Sequence, residues 1–384
     1  MCVLVVARDA AETIERCLRS ALSQGCEVLM VDDCSQDDTV DAAIRAGLSV
    51  SSIVQLENHV SLGYARQRGL ERVETEYTML LDADDVLCAG RVERFGTIFQ
   101  RGQIDAIADE LELRDGGDGS LIKKMRIPSY LKTGKDLCRL FERNYLPGIG
   151  QIGFRTSVFR EIGYDESLTG PEDSDIVLRA LLAGARFELV REIGYKMYHY
   201  SGSVSRNLDR QNCELARALQ KHAYGDVENL FSRSGYSDRV IAWSMYGLAN
   251  FRGDWEKAVE YLELAFPVGS NRDEVLEPEG PEAVPEGWRL NFARGVISYM
   301  QGNPEYARER WERAGKFGAT AEVANNLGVS MRLLGQERAA MELFSEALRL
   351  SPNFYDARIN LGDSLSQRVT LRPLRRDPGR SNYA

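Results

Sequence analysis

The sequence predicts two architectures in one chain: a doubly wound, mostly parallel α/β domain followed by an all-α array of repeated helix pairs. Three observations carry that reading. Short apolar runs alternate with amphipathic stretches through the first 200 or so residues. Acidic motifs follow two of those runs directly, and beyond them small residues recur at fixed offsets within helical stretches.

Residues 3–7 (Val-Leu-Val-Val-Ala) read as a buried strand, and residues 11–23 as a helix with Ile14, Leu18, Ala21 and Leu22 on one face. Residues 28–31 form a second strand, and Asp37, Asp38 and Thr39 open a second helix whose acidic first turn suits a helix N-terminus. Residues 52–56 are the third strand, 64–73 a helix and 77–81 the fourth strand. Strands separated by helices of this length imply a parallel sheet. In such sheets ligands bind beyond the carboxyl ends of the strands. Asp32 and Asp33 fall there after strand two, and the run Asp82-Ala83-Asp84-Asp85 after strand four.

The second half follows a different grammar. From Gly295, offsets of 7, 12 and 19 reach Gly302, Ala307 and Ala314; from Gly328 they reach Gly335, Ala340 and Ala347; from Tyr246, Gly253, Ala258 and Ala265. Gly362 lies 34 residues after Gly328 and opens a fourth unit. Small residues at these places let two antiparallel helices approach, and stacked pairs build a solenoid. The spacing resembles the tetratricopeptide (TPR) pattern, including Ala340 followed by Phe344 and Pro352 closing the unit. Residues 268–287, rich in Pro, Glu and Gly, are expected to form a loop between the first and second units. After Gln367 the chain carries Arg368, Arg372, Arg375, Arg376 and Arg380 against Asp377, and is expected to be a disordered basic tail. The expected organisation is therefore 1–208 for the α/β domain, 209–238 for a helical linker, 239–366 for the repeats and 367–384 for the tail.

Composition narrows the function classes. A net charge of -10 argues against nucleic acid as the main partner. No apolar stretch approaches the roughly 20 residues of a transmembrane helix, and Met1 leads into a strand with no secretory leader pattern. Seven cysteines without a CxxC pair suggest reduced thiols. The expected location is cytoplasmic, with peripheral contact at the inner membrane face as a second expectation for the basic tail.

Several acidic and basic groups share one end of the predicted sheet. In Asp82-Ala83-Asp84-Asp85, alternation sends Asp82 and Asp84 to the same side, and hard divalent cations take carboxylates together with substrate phosphates. An isolated motif of this kind is more often an acidic helix cap. Here Asp32 and Asp33 could accept from base N–H groups or ribose hydroxyls, and residues 63–69 bring Arg66 and Arg68 on a helix. Residues 170–175 set Glu172 and Asp173 at a helix N-terminus, which favours the charged form. A charged, oriented carboxylate beside a metal-bound diphosphate is what deprotonation of an acceptor hydroxyl requires.

The ordered set resembles family 2 glycosyltransferases of the GT-A fold. The matching segments are residues 3–7, 13–18, 31–35, 63–66, 80–85 and 172–175, spread over about 200 residues. The resemblance implies an α/β nucleotide-diphospho-sugar transferase domain that moves a sugar from a nucleotide-diphosphate donor to a glycan or a peptide or protein acceptor, with inversion. It further implies that Ala7, Asp32, Asp33 and Arg66 line the nucleoside pocket and that Asp82 touches ribose or diphosphate. Asp84 would ligate Mn²⁺ or Mg²⁺, Asp173 would be the general base and Glu172 would orient it or contact acceptor. His199, in the Tyr198-His199-Tyr200 segment, would reach the metal or diphosphate, whereas His59 reads as a surface residue. Two positions depart from the family pattern: Cys34 stands where glycine is usual, and Gln67 where asparagine is usual. The TPR surface would hold a protein partner or a peptide acceptor, as in peptide S-glycosyltransferases that join this fold to such repeats. The alternative function is a TPR interaction scaffold with an inactive transferase domain. A sugar-1-phosphate nucleotidyltransferase fits less well, because residues 7–11 lack the glycine-rich phosphate loop of that class.

Overall fold

The computed structural model describes residues 1–142, 144–146, 148–168, 171–200, 215–266 and 286–371. The four apolar runs become β1 (Cys2–Ala7), β2 (Glu27–Asp32), β3 (Ile53–Gln55) and β4 (Tyr77–Asp82), mutually parallel in the order β3-β2-β1-β4. On one face, Val3, Val5, Met30, Met79 and Leu81 pack with Ile14, Cys17, Leu18 and Ala21 of α1 (Ile14–Leu22), the stripe that helical periodicity marks. The helix starts later than that periodicity suggests, because residues 11–13 form a turn in which Thr13 N donates to Ala10 O. α2 (Thr39–Arg45) joins the same core through Ala42 and Ala43. On the other face lies α3 (Leu62–Arg72), where a Cβ at Gly69 would meet Leu4 Cδ1 at 2.4 Å and Val31 Cγ2 at 2.8 Å. No side chain fits that approach of helix to sheet.

The rest of the sheet departs from the mostly parallel expectation. β8 (Ile152–Arg155) runs antiparallel between β4 and β6 (Ala106–Asp115), and β6 runs parallel to β9 (Phe187–His199). β5 (Val86–Leu87) pairs antiparallel at the far edge with β9, and β7 (Leu121–Met125) pairs antiparallel with β6. Among the described residues the sheet thus has nine strands and is mixed. Charged residues inside these later strands hide them from a hydropathy reading. Asp109, on β6, is fully buried because Arg91, the first residue of α4 (Arg91–Gln100), donates to it through Nε at 2.7 Å and Nη2 at 2.9 Å. Among the described residues of this unit four further helices follow: α5 (Thr156–Ile162), α6 (Glu172–Leu182), α7 (215–220) and α8 (Tyr224–Arg233).

The chain divides into two compact units, Met1–Ser234 and Gly235–Ala384. In the second, short turns join α9 (Asp238–Arg252) to α10 (Trp255–Ala265), α11 (Glu286–Met300) to α12 (Pro304–Gly315) and α13 (Ala321–Leu333) to α14 (Glu337–Leu350); α15 (Tyr355–Gly362) follows. The glycines at offset seven make these turns, with φ of 74° at Gly253, 78° at Gly302 and 75° at Gly335. The alanines at offsets 12 and 19 are all buried. Gly295 and Gly328 admit large rings: a Cβ at Gly295 would meet Trp311 Nε1 at 2.3 Å, and one at Gly328 would meet Phe344 Cε1 at 2.5 Å. In the first pair the bulk is exchanged, with Tyr246 and Leu262 at the corresponding positions, both buried.

Two expectations about the connecting segments are affected. The loop expected at 268–287 lies outside the described residues apart from the start of α11. The tail does not begin at Gln367 as a disordered segment: residues 368–371 run along the repeat helices, where Thr370 is buried and Val369 and Leu371 join apolar clusters. Basic composition concealed this, because main-chain bonds to buried asparagines hold the segment alongside only two apolar side chains, Val369 and Leu371. Residues 372–384 lie outside the described set.

Candidate functional site

The carboxyl ends of β1, β2 and β4 bring the acidic motifs together. Ala7 ends β1 beside Asp32 in register, and its carbonyl accepts from Asp33 N at 2.9 Å. Asp32 is buried, with Oδ2 facing Ser35 N at 3.4 Å and Oδ1 without a hydrogen-bond partner. Asp33 is also buried; its Oδ1 accepts from Val60 N at 2.9 Å, and its Oδ2 lies 2.7 Å from His59 Nδ1. His59 therefore holds the Asp33 loop, a role that its place in a polar loop did not signal. Between them Cys34 sits at φ 58°, left-handed backbone that favours glycine, so the chain holds a thiol on a conformation that glycine takes without strain.

Arg66 is the hub. It lies on the buried side of α3, donating through Nη2 to Asp82 Oδ1 at 2.7 Å and through Nη1 to Glu172 Oε1 at 2.6 Å. A residue on α3 thereby ties the end of β4 to the first turn of α6. Burial works against the Arg66 charge, but Asp82 and Glu172 outweigh it and hold the guanidinium more firmly protonated than usual. Glu172 is pushed up by burial despite Arg66, and so is Asp173, whose Oδ1 accepts from Ser174 N at 2.6 Å. Tyr164 joins this charge cluster with a buried hydroxyl that has no hydrogen-bond partner. No motif in the sequence pointed to it. Beside Asp173 and Ser174 opens a cavity walled by Leu140, Leu146, Ile152, Val177, Leu178 and Leu215.

The acidic run after β4 is uneven. Asp85 is buried and acts as a link, its Oδ1 accepting from Tyr198 N at 2.7 Å; burial and the neighbouring Asp82 and Asp84 push its carboxyl well up. Asp84 is pushed to about 6, first by burial and then by Asp82. Arg16 donates to the main-chain carbonyl of Asp84 at 2.7 Å, not to its carboxylate, while stacking on the Tyr198 ring and reaching Tyr200 Oη at 3.0 Å. A divalent cation suits this place chemically, since hard oxygen donors crowded together lack a basic partner at Asp84. Among the described residues no three His, Cys, Asp or Glu side chains are arranged to hold a metal ion by themselves. His199 ends β9 opposite Asp115. With Tyr198 and Tyr200 both on Arg16, strand alternation sends His199 toward the other side.

The comparisons agree with this architecture. TarS 1-349 from S. aureus, in complex with UDP-GlcNAc, superposes with a TM-score of 0.53 over 82% of this chain and 90% of that one, at 14% identity. The first unit has a GT-A-type glycosyltransferase fold. Residues 2–163 match the family model described as Glycosyl transferase family 2, so the chain carries a domain of that family there. Among curated proteins it is similar to the succinoglycan biosynthesis protein ExoU of Rhizobium meliloti (strain 1021), at 30% identity over 53% of this chain and 64% of the relative. ExoO of the same organism is 26% identical over 53% of this chain and 62% of its own length. The amylovoran biosynthesis glycosyltransferase AmsB of Erwinia amylovora is 25% identical over 50% of this chain and 66% of its own. The chain thus spans less than two thirds of each relative. No helix among the described residues is long and apolar enough to cross a membrane.

Proposed function

We propose that the first unit transfers a sugar, with inversion, from a nucleotide-diphosphate sugar to a hydroxyl of a glycan acceptor. The observation that carries the reading is the Arg66 bridge, because one buried cation joins the strand-end acidic run to the carboxylates at the start of α6. Donor-side and acceptor-side chemistry then meet within one hydrogen-bonded cluster. The donor base and ribose would lie against Ala7, Asp32 and Asp33, where the unpartnered Asp32 Oδ1 offers an acceptor to an N–H or hydroxyl. The similarity to ExoU, ExoO and AmsB, all named as biosynthesis proteins, and the UDP-GlcNAc complex of TarS support a nucleotide-sugar reaction. A peptide acceptor is the second candidate, and the paired helices of the second unit are read as TPR repeats.

Asp84 would hold Mn²⁺ or Mg²⁺ together with donor phosphate oxygens, and His199 is the weaker candidate because of the face it takes on β9. Bound there, the ion would supply Lewis-acid neutralisation of the leaving diphosphate. Asp82 would touch ribose or diphosphate, its orientation fixed by Arg66. Asp173 would accept the proton from the attacking hydroxyl, a task for which its raised basicity is suited. Glu172 would keep Arg66 and the helix end in place. The acceptor hydroxyl would approach past the cavity beside Asp173 and Ser174.

Titration calorimetry with UDP, GDP, dTDP and CDP, with and without Mn²⁺, tests the donor half. Metal-dependent binding of at least one nucleotide is expected; a folded chain that binds none would leave an inactive scaffold as the better reading. Asp173→Asn should lower kcat by about 100-fold or more while nucleotide affinity stays within about twofold. Asp84→Ala should instead weaken nucleotide binding and abolish its metal dependence. Normal transfer by both variants would overturn the assignment.

A further inference from the structure

Two asparagines one repeat apart each hold a residue of one extended segment. Asn326 and Asn360 stand two positions before Gly328 and Gly362, so they are equivalent in successive repeats. Asn360 Nδ2 donates to Arg368 O at 2.8 Å, and its Oδ1 accepts from Arg368 N at 2.8 Å. Asn326 treats Thr370 in the same way, donating to its carbonyl at 2.9 Å and accepting from its N–H at 2.8 Å. Asn325 adds a donation to Arg368 O at 2.9 Å. All three asparagines are fully buried. A carboxamide that both donates to and accepts from one residue's main chain takes the place of a neighbouring strand. Residues i and i+2 of an extended chain point to the same side and lie about 6.6 Å apart, and successive repeats here supply one rung for each such residue.

The side chains alternate as the rungs require. Val369 and Leu371 enter the apolar cluster of Trp288 and Trp311, whereas Arg368 and Thr370 turn to the Asp356 carboxylate at 3.3 Å and 2.7 Å. The grip is mostly on the main chain, so it suits a polypeptide of another sequence with the same alternation. Buried carboxamides left without a partner would each cost about 1–3 kcal/mol, which means the groove is built to be filled.

We propose that this groove on α13 and α15 is a docking site for an extended segment of a partner polypeptide that alternates basic or hydroxyl residues with apolar ones. Residues 367–371 are its resident competitor: the chain occupies its own site until a partner segment displaces them. Docking of this kind does not depend on sugar transfer.

The test uses the full chain and a fluorescein-labelled synthetic peptide copying residues 366–372, with no nucleotide present. Val369→Asp with Thr370→Pro should release the resident segment, because proline lacks the N–H that Asn326 accepts and aspartate does not suit the apolar cluster. A tethered competitor acts at about millimolar effective concentration, so the released chain should bind the peptide at least about 30-fold more tightly than the unaltered chain. A peptide N-methylated at the amide corresponding to Thr370 should bind at least about tenfold more weakly. Equal binding by released and unaltered chains, no binding to a folded released chain, or indifference to N-methylation would each overturn the proposal. So would loss of the helical circular dichroism signal on release, which would make the segment a fixed part of the core. None of these outcomes bears on the transferase reading, which nucleotide binding tests separately.

Discussion

Asp84 illustrates how a single side chain can be held against its ordinary state. Its carboxyl rises from the usual 3.8 to about 6 in the folded chain, through burial and then Asp82. Folding therefore favours the protonated form. That contribution is fully present below the unfolded pKa of 3.8 and is lost as pH climbs through about 6. At pH 7.5 the charged carboxylate is a burden that Asp84→Asn removes, so the variant should gain about 1–3 kcal/mol there. Thermal melting should show a rise of a few degrees at pH 7.5 that vanishes near pH 4. An equal shift at both pH values would mean that the side chain is not crowded by charge. Added Mn²⁺ should stabilise the unaltered chain at pH 7.5 and not the variant. Cys34 is another residue held against preference, since its φ of 58° asks for glycine and the chain supplies a thiol.

At the scale of elements, strand ends and helix starts do the positioning. β4 delivers Asp82 and Asp84, α6 delivers Glu172 and Asp173, and α3 lies close enough to the sheet, through Gly69, for Arg66 to span them. The later strands depend on a different ion pair. Arg91 and Asp109 are both 0% exposed, and Asp109 still sits at about 6 because burial outweighs its partner. Removing one member of such a pair leaves a buried charge unmatched. Arg91→Met should therefore cost about 3–5 kcal/mol in urea melts at pH 7.5, and clearly less at pH 5, where Asp109 can take up a proton. A cost independent of pH would assign the loss to the packing of Arg91 on Phe95 and Tyr195 rather than to charge.

For the molecule as a whole, each unit has its own core and its own candidate ligand, the nucleotide sugar for Met1–Ser234 and an extended peptide for Gly235–Ala384. Ligands that bind only the folded form slow amide exchange where they bind. Nucleotide with Mn²⁺ should raise protection in α3 and at the ends of β2 and β4 and leave α13 and α15 unchanged. Displacing peptide should act on the amides of residues 368 and 370, whose exchange in the free chain is held back by Asn360 and Asn326. Protection spread evenly over both units by either ligand would contradict this separation.

Parallel strands, their following acidic motifs and the helix-pair spacing were legible because each is written locally. Period two or 3.6 marks the faces, and a glycine or alanine at a fixed offset marks a close approach. The mixed half of the sheet was not legible, because Asp109 interrupts its apolar pattern and only a partner 18 positions away makes its burial tolerable. The same holds for the candidate site. The sequence named Asp82, Asp84, Glu172, Asp173 and Arg66, but that Arg66 reaches Glu172, 106 positions on, depends on how α3 and α6 meet. His59, Tyr164 and Arg16 carried no local signal, since a polar loop residue, a lone tyrosine and an exposed helix arginine look alike until their partners are in place. The ordered segment after Gln367 was hidden most completely. Its composition reads as disordered, and what holds it are main-chain bonds to asparagines that only the stacking of helices lines up. Local chemistry can be read along the chain; the pairing of distant charges and amides is a matter of distance, and distance is set by the packed fold.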